Sequence, residues 1–253
     1  MRTWLKWTGI AAFGLLASTA LAADHTDGSA DGLGTTANPD ADITDVYAWA
    51  KDDGSTVVLI MNIVGDFSDA TQYAFHVGRT DAAGAALIAP ASDITDVICE
   101  FASGTSLQCW AGDSYVTGDP SGSAGISSDD GNMLVHAAEH ADPFFFYLDG
   151  FAAAVGAANA NAGALALDPS KCPTNLGLPA TAIGSTCPAN VTISALLLGL
   201  LNGTYADANC TAGAAFNNFA DNNVHSLVLE VDASLFAGTG DYLQVWATTH
   251  AKN

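Results

Sequence analysis

Residues 43–64 constrain the fold more than any other part of the sequence, because they contain two apolar segments joined by an Asp-Gly turn. Residues 43–50 have the composition of a strand, Lys51-Asp-Asp-Gly54 forms the turn, and residues 56–64 are an almost unbroken apolar run. Asp-Gly between two such segments is a strong hairpin signal, because glycine accepts the positive φ of a tight turn. The region therefore predicts two paired antiparallel strands.

More strand patterns follow along the chain. Apolar side chains alternate with small or polar ones at Tyr73, Phe75 and Val77, and again at Val97, Cys99 and Phe101. This period of two predicts half-buried strands, and residues 224–231 and 242–248 predict two more. Strands of this length with Gly and Asp turns between them indicate an all-β protein, mainly an antiparallel β-sandwich.

Two stretches interrupt the strand pattern and predict short inserted helices. Residues 149–162 are rich in Ala, with Asp149 as the expected N-cap, and residues 194–202 are rich in Leu and end at Gly203. Residues 163–190 are expected to be a loop excursion pinned by a disulfide. The mature length favours one β-rich domain over residues 23–253. The aromatic residues Phe144, Phe145, Phe146 and Phe151 are expected to lie in the core.

The first residues resemble a secretory signal peptide. Arg2 and Lys6 form a short basic region, residues 10–16 are apolar, and Ala20-Leu-Ala22 is a typical cleavage signature. The apolar run is too short for a normal membrane span. We therefore expect residues 1–22 to be removed and the mature protein to be periplasmic or extracellular.

The chain is strongly acidic. It has 27 Asp and Glu against 6 Lys and Arg, a formal net charge of −21. All of the acids except Glu100, Glu139 and Glu230 are Asp, whose short side chain suits turns and sites for oxygen-bound cations. Nucleic acid is an implausible partner, because phosphate binding needs clustered cations.

The five cysteines agree with export to an oxidising compartment. Cys99 and Cys109 lie symmetrically about a Ser-Gly turn, which makes them cross-strand neighbours and predicts a disulfide. Cys172 and Cys187 both precede Pro in the long loop and are the next expected pair. Cys210 is then left over, and the sequence leaves open whether it is free or replaces either loop partner.

Four motifs in order carry a family resemblance. Residues 38–49 read Asn-Pro-Asp-Ala-Asp-Ile-Thr-Asp-Val-Tyr-Ala-Trp, and the other motifs are residues 57–62, 142–151 and 223–231 with 245–248. Together they resemble the secreted bacterial proteins grouped as domain of unknown function 4331. The chain departs from the family pattern at residues 25–29, His140 and Tyr147. The resemblance implies a secreted, mainly β protein and supplies no activity.

An Asp-rich approach precedes the first strand and suggests a divalent cation site. Residues 27–32 alternate oxygen side chains and close with Gly, like the front of a calcium loop. An EF-hand is unsupported because its twelfth position, normally Glu, is Asn38. A looser calcium site is predicted from the candidate ligands Asp27, Ser29, Asp31, Asp40, Asp42 and Asp45.

The pentapeptide Asp-Ile-Thr-Asp-Val occurs at residues 42–46 and again at residues 93–97. In each copy the first Asp is expected to accept backbone hydrogen bonds where a strand begins, and the Thr is a good strand former. The first copy belongs to the Asp-rich approach and is the better candidate for a cation site. The second needs only a structural role.

A second metal hypothesis concerns the mature N-terminus. Cleavage after Ala22 gives Ala23-Asp24-His25, with His as the third residue. The free amine, two deprotonated amides and the imidazole then suit square-planar copper or nickel. His25 would be the side-chain ligand.

A zinc hydrolase is the third hypothesis. His136-Ala-Ala-Glu-His140 matches the His-x-x-Glu-His pattern of inverted zinc peptidases, which places both His on one helical face. The surrounding sequence predicts a strand instead, where the two His are not expected to converge. Our leading expectation is therefore a non-enzymatic binding or structural protein of the cell envelope or matrix that holds calcium, with no assigned catalytic residue.

Overall fold

The fold, seen in a computed structural model, is an antiparallel β-sandwich of two five-stranded sheets, as the sequence predicts. The structure describes residues 38–80, 93–103, 105–160, 163–166, 168–169 and 173–252. The strands are β1 (Ile43–Ala50), β2 (Thr56–Ile63), β3 (Thr71–Thr80), β4 (Ile94–Ser103), β5 (Ser106–Ala111), β6 (Ser114–Gly118), β7 (Ile126–Ser127), β8 (Met133–Ala141), β9 (Asn223–Asp232) and β10 (Tyr242–Ala251). The first sheet has the order β1-β2-β9-β8-β7 and the second β10-β3-β4-β5-β6.

The predicted hairpin is confirmed. β1 and β2 pair in antiparallel register from Ala50 opposite Val57 to Ile43 opposite Ile63. Gly54 has a φ of 69°, a conformation that residues with a Cβ rarely adopt. The Asp-Gly signal therefore fixes both the turn and the register of the two strands.

Alternating side chains of both sheets form the core of the sandwich. Tyr73, Phe75 and Phe101 are completely buried, and Phe67 stacks on Phe101 with ring centroids 4.4 Å apart. β2 is buried along almost its whole length because it has a hydrogen-bonded neighbour on each side and faces this core. The strands predicted at residues 224–231 and 242–248 are confirmed as β9 and β10.

The described residues form two compact units, divided after His140 and before Val224. The first contains the sandwich. The second contains helices α1 (Leu148–Ala160) and α2 (Ile193–Leu201), which confirm the two predicted insertions. The Thr192 side chain caps α2 by accepting a hydrogen bond from the Ala195 amide, whereas Asp149 lies in the first turn of α1 and not at its N-cap.

The disulfides confirm one predicted pair and correct the other. Cys99 is bonded to Cys109 across the β4–β5 pair. Cys187 is bonded to Cys210, not to Cys172, which lies outside the described residues. Two Pro-flanked cysteines in one loop look equivalent in sequence, and the approach of Cys210 to Cys187 is set by the folded chain.

The expected core position of the aromatic run is wrong. Phe145 is 56% exposed, and Phe144, Phe146 and Phe151 are only partly buried. Phe144 and Phe146 stack with ring centroids 6.0 Å apart, and each ring also contacts Phe219. The rings shield one another at the surface of the second unit, so only part of their apolar surface is removed from water.

No helix among the described residues is long and apolar enough to cross a membrane.

Candidate ligand-binding site

The structure tests only part of the predicted cation site. His25, Asp27, Ser29 and Asp31 lie outside the described residues. Asp40 lies in a short 3-10 helix before β1, where its carboxylate accepts a hydrogen bond from Thr71 Oγ1 at 2.6 Å. Its backbone carbonyl also accepts one from the buried Tyr73 hydroxyl. Asp40 therefore joins the start of β1 to the start of β3.

The other two acids belong to the first pentapeptide. The carbonyl of Asp42 accepts a hydrogen bond from the Val64 amide, and Asp45 accepts hydrogen bonds from Thr44 and Asn62. Across the described parts of the chain, His, Cys, Asp and Glu form no group of three or more that could hold a metal ion. The calcium and copper or nickel hypotheses thus rest on residues before Asn38.

The second pentapeptide has a structural role. Asp93 directly precedes β4, and Thr95 Oγ1 donates to the Leu235 carbonyl and accepts from the Ala237 amide. These two bonds join β4 to the segment between β9 and β10. Thr95 therefore holds the loop between β9 and β10 against β4, in addition to favouring a strand.

The two histidines of the zinc motif lie on β8, as the strand prediction required, but the expectation that they stay apart is wrong. His136 Nε2 and His140 Nε2 are 3.2 Å apart, and His136 Nδ1 is 3.0 Å from the Gly122 carbonyl. Residues four apart on a strand share a face, and these long side chains lean together. The two rings supply only two nitrogen ligands, and no group of three metal-ligating residues exists around them in the described chain.

The outer surface of the second sheet holds a larger group of functional side chains, which we name the polar–aromatic face. Its members alternate with the buried core residues of the same strands. Its rows across the strands are Trp246, His76 and Asp96; Thr248, Ala74, Ile98, Trp110 and Tyr115; and His250, Gln72, Glu100, Gln108 and Thr117.

A continuous hydrogen-bond chain runs across this face. Asp96 Oδ1 lies 2.7 Å from His76 Nδ1, His76 Nε2 lies 2.8 Å from Thr248 Oγ1, and Thr248 Oγ1 lies 2.8 Å from His250 Nε2. A carboxylate accepts hydrogen bonds, so His76 Nδ1 is the donor to Asp96. Thr248 Oγ1 lies between His76 Nε2 and His250 Nε2 and is within hydrogen-bond distance of both rings.

Aromatic side chains occupy both sides of the face. Trp246 stacks on His76, with ring centroids 5.0 Å apart and planes inclined by 23°. Trp110 contacts Tyr115 at a centroid distance of 5.5 Å, and Tyr115 is 41% exposed. The two tryptophans lie on β10 and β5, three strand spacings or ~14 Å apart across the sheet.

Polar side chains fill the third row. Gln72 Nε2 donates to Glu100 Oε1 at 2.7 Å, and Lys252 forms a salt bridge with the other oxygen of Glu100 at 3.3 Å. The Gln72 hydrogen bond, reinforced by Lys252, lowers the pKa of Glu100. This acid is therefore ionised, and Lys252 partly neutralises its charge.

No local pattern in the sequence pointed directly to this face. His76, Asp96 and Thr248 lie on three different strands and become neighbours only through the pairing of β3 with β4 and β10. The one available signal was alternation, since polar residues at every second position of a strand must share a surface. No family model, no curated protein and no solved structure matches this chain.

Proposed function

We propose that this chain is a secreted, non-enzymatic binding protein that recognises carbohydrate through the polar–aromatic face. The observation that carries the proposal is the arrangement of Trp246 and Trp110 on either side of a strip of amide, hydroxyl and carboxylate groups. Sugars present C–H faces that pack on aromatic rings, and hydroxyl pairs that amides and carboxylates bind. Both kinds of group are present on one surface.

The shape of the face favours an extended ligand over a small one. The rows lie on an open sheet, and ~14 Å between the tryptophans is long enough for a short run of sugar units. His76 and Gln72 are held by hydrogen bonds to Asp96 and Glu100, so their side chains are oriented before the ligand arrives. The face contains two acids, Asp96 and Glu100, and no Lys or Arg, which favours a neutral polysaccharide over an anionic one.

Catalysis is the less favoured function of the same residues. Thr248, His76 and Asp96 stand in the order of a hydroxyl nucleophile, a base and an orienting acid. Asp96 is exposed on an open sheet, where water screens the charge that such an arrangement must stabilise. This hydrogen-bonded series of side chains is better suited to binding a ligand than to catalysing its reaction.

Secretion forms part of the proposal. Two disulfides in the described residues belong to the chemistry of oxidising compartments, and the basic and apolar N-terminal pattern with its cleavage signature supports export. The resemblance to domain of unknown function 4331 remains a prediction and agrees with this location. N-terminal sequencing of the exported protein tests it, with Ala23 as the expected first residue.

Affinity electrophoresis of the mature protein tests the binding function. Native gels containing soluble β-glucan, xylan or mannan should retard the protein in at least one case. Trp110→Ala and Trp246→Ala should each weaken that binding by about tenfold, the usual effect of removing a central aromatic contact. Trp49→Ala is the control, because Trp49 is an exposed tryptophan that lies on β1, away from the face.

Two results would count against carbohydrate binding. One is the absence of retardation by all three polysaccharides. The other is an equal loss with Trp49→Ala, which would show that the tryptophans act through stability and not through contact with the ligand.

A further inference from the structure

A separate cavity opens between β1 and β10, the outermost strands on one side of the two sheets. It has a volume of about 580 Å³, within the usual range for ligand pockets. Val46, Ala48, Leu243 and Val245 line its walls. Exposed aromatic rings from Trp49 and Tyr242 also border it, so apolar side chains form one part of a mixed lining.

Arg79 is the cationic residue of this cavity. The structure describes three Lys and Arg side chains, and two of them form salt bridges: Lys51 with Glu230 and Lys252 with Glu100. Arg79 has no salt bridge to any carboxylate of the described residues, and its Nε is buried without a hydrogen-bond partner there. A cation without a carboxylate partner among the described residues is unexpected in so acidic a chain.

A buried donor without a partner costs free energy, and a ligand that accepts its hydrogen bond recovers that cost. We propose that this cavity binds an organic monoanion, with its carboxylate on the Arg79 guanidinium and its apolar body along β1 and β10. Arginine suits this role because its planar group donates two parallel hydrogen bonds to a carboxylate. This site is distinct from the carbohydrate face and does not depend on it.

Asp241 limits the negative charge of the ligand that the cavity can accept. Its exposed carboxylate also borders the cavity but forms no salt bridge with Arg79. A second negative charge on the ligand would meet this acid, whereas one acid group on a long apolar body avoids it. The cavity is therefore matched to a simple amphipathic carboxylate and not to a dicarboxylate.

Isothermal titration calorimetry of the mature protein with decanoate and with decanol tests the proposal. Decanoate should bind at least about tenfold more tightly than decanol, because the carboxylate brings a negative charge and two acceptor oxygens to the Arg79 guanidinium, whereas the alcohol brings one neutral oxygen. Arg79→Met keeps most of the apolar stem and should reduce decanoate binding by about 10- to 100-fold while reducing decanol binding much less. Asp241→Asn should strengthen decanoate binding a few-fold.

Equal binding of decanoate and decanol to the native protein would overturn the proposal, whether or not Arg79→Met folds. Decanoate binding that survives in a folded Arg79→Met variant would overturn it as well. A pentapeptide of Val and Thr with both termini blocked serves as a probe for strand addition to the edge of β1 or β10. If this uncharged peptide binds in place of decanoate, the proposal that the cavity binds a monoanion is refuted. Arg79→Lys, which keeps the charge but not the two parallel donors, should retain only part of the affinity.

Discussion

Asp96 holds His76 at 2.7 Å across the β3–β4 pair, although the two residues are 20 positions apart in the sequence. The other nitrogen of the same ring contacts Thr248, which is 172 positions away on β10. One imidazole therefore joins three strands of the second sheet. Since Trp246 stacks on this ring, His76 orders the part of the polar–aromatic face that these three strands form.

His76→Ala should disorder that face. The variant removes two hydrogen bonds and the ring beneath Trp246, so we expect a loss of roughly 1–2 kcal/mol in the free energy of unfolding. Polysaccharide affinity should fall by about fivefold or more, as a lost central contact does elsewhere. Tryptophan fluorescence and affinity electrophoresis measure the two effects. His136→Ala on the other sheet is the control and should alter neither the fluorescence of Trp246 nor the retardation.

Alkaline pH should destabilise the sandwich through Tyr73. Burial raises the pKa of Tyr73 to about 12, so the folded state favours the neutral phenol. The stabilisation is complete below pH 10, the ordinary tyrosine value, and is lost as the pH rises towards 12. Urea denaturation should show a fall of roughly 2–3 kcal/mol over that window. Tyr73→Phe should reduce this pH dependence, whereas Tyr115→Phe, which alters an exposed tyrosine, should not.

Two glycines of α1 should respond to alanine in opposite directions. A Cβ at Gly150 would collide with the Leu200 carbonyl of α2 and with the Tyr147 ring, so Gly150→Ala should destabilise the second unit by about 1–3 kcal/mol. A Cβ at Gly156 meets nothing within 4 Å, and Gly156→Ala should stabilise the helix by up to about 1 kcal/mol. The melting temperatures of the two variants, measured by thermal unfolding, test this prediction. Similar effects at both positions would argue against close packing of α1 on α2.

Non-reducing peptide mapping should recover one peptide that links Cys187 to Cys210 and another that links Cys99 to Cys109. Replacing Cys99 and Cys109 together by Ala should cost about 3 kcal/mol, because the bond closes a short loop and restricts the unfolded chain. Chemical denaturation of the oxidised protein measures this loss. A recovered Cys172–Cys187 peptide would contradict the pairing described above.

Calcium should raise the melting temperature if the residues before Asn38 bind it. Calcium at 100 times its Kd stabilises the folded state by about 2.7 kcal/mol, and a chelator should reverse the shift. Asp27→Asn combined with Asp31→Asn should abolish the response, whereas Asp52→Asn in the β1–β2 turn should preserve it. A rise with copper alone that His25→Ala removes would instead support the copper site at the mature N-terminus.

Local patterns in the sequence were sufficient for most of the secondary structure. The alternation of apolar residues located β3 and β4, the Asp-Gly turn located the β1–β2 hairpin, and both helices lie within two residues of their predicted bounds. Cys99 and Cys109 were paired correctly because the turn between them sets the register of adjacent strands. Each of these predictions depends on residues close together in the chain.

The errors have a common cause. The approach of His136 to His140 depends on how two side chains lean from one strand, and the exposure of Phe145 depends on whether another part of the chain covers it. Composition and period do not determine either quantity. Hydrophobicity alone favours burial for the aromatic run, but its rings are covered mainly by one another.

By itself, the sequence determined an acidic, disulfide-containing, mainly β protein with a hairpin at residues 43–64, because local propensity and turn chemistry act over a few residues. Only the tertiary structure decided that β10 pairs with β3, that Cys187 bonds to Cys210, and that Asp96, His76 and Thr248 meet. It also placed Arg79 in a cavity between two sheet edges. These relationships arise from pairing between distant strands, which is set by how the whole core packs.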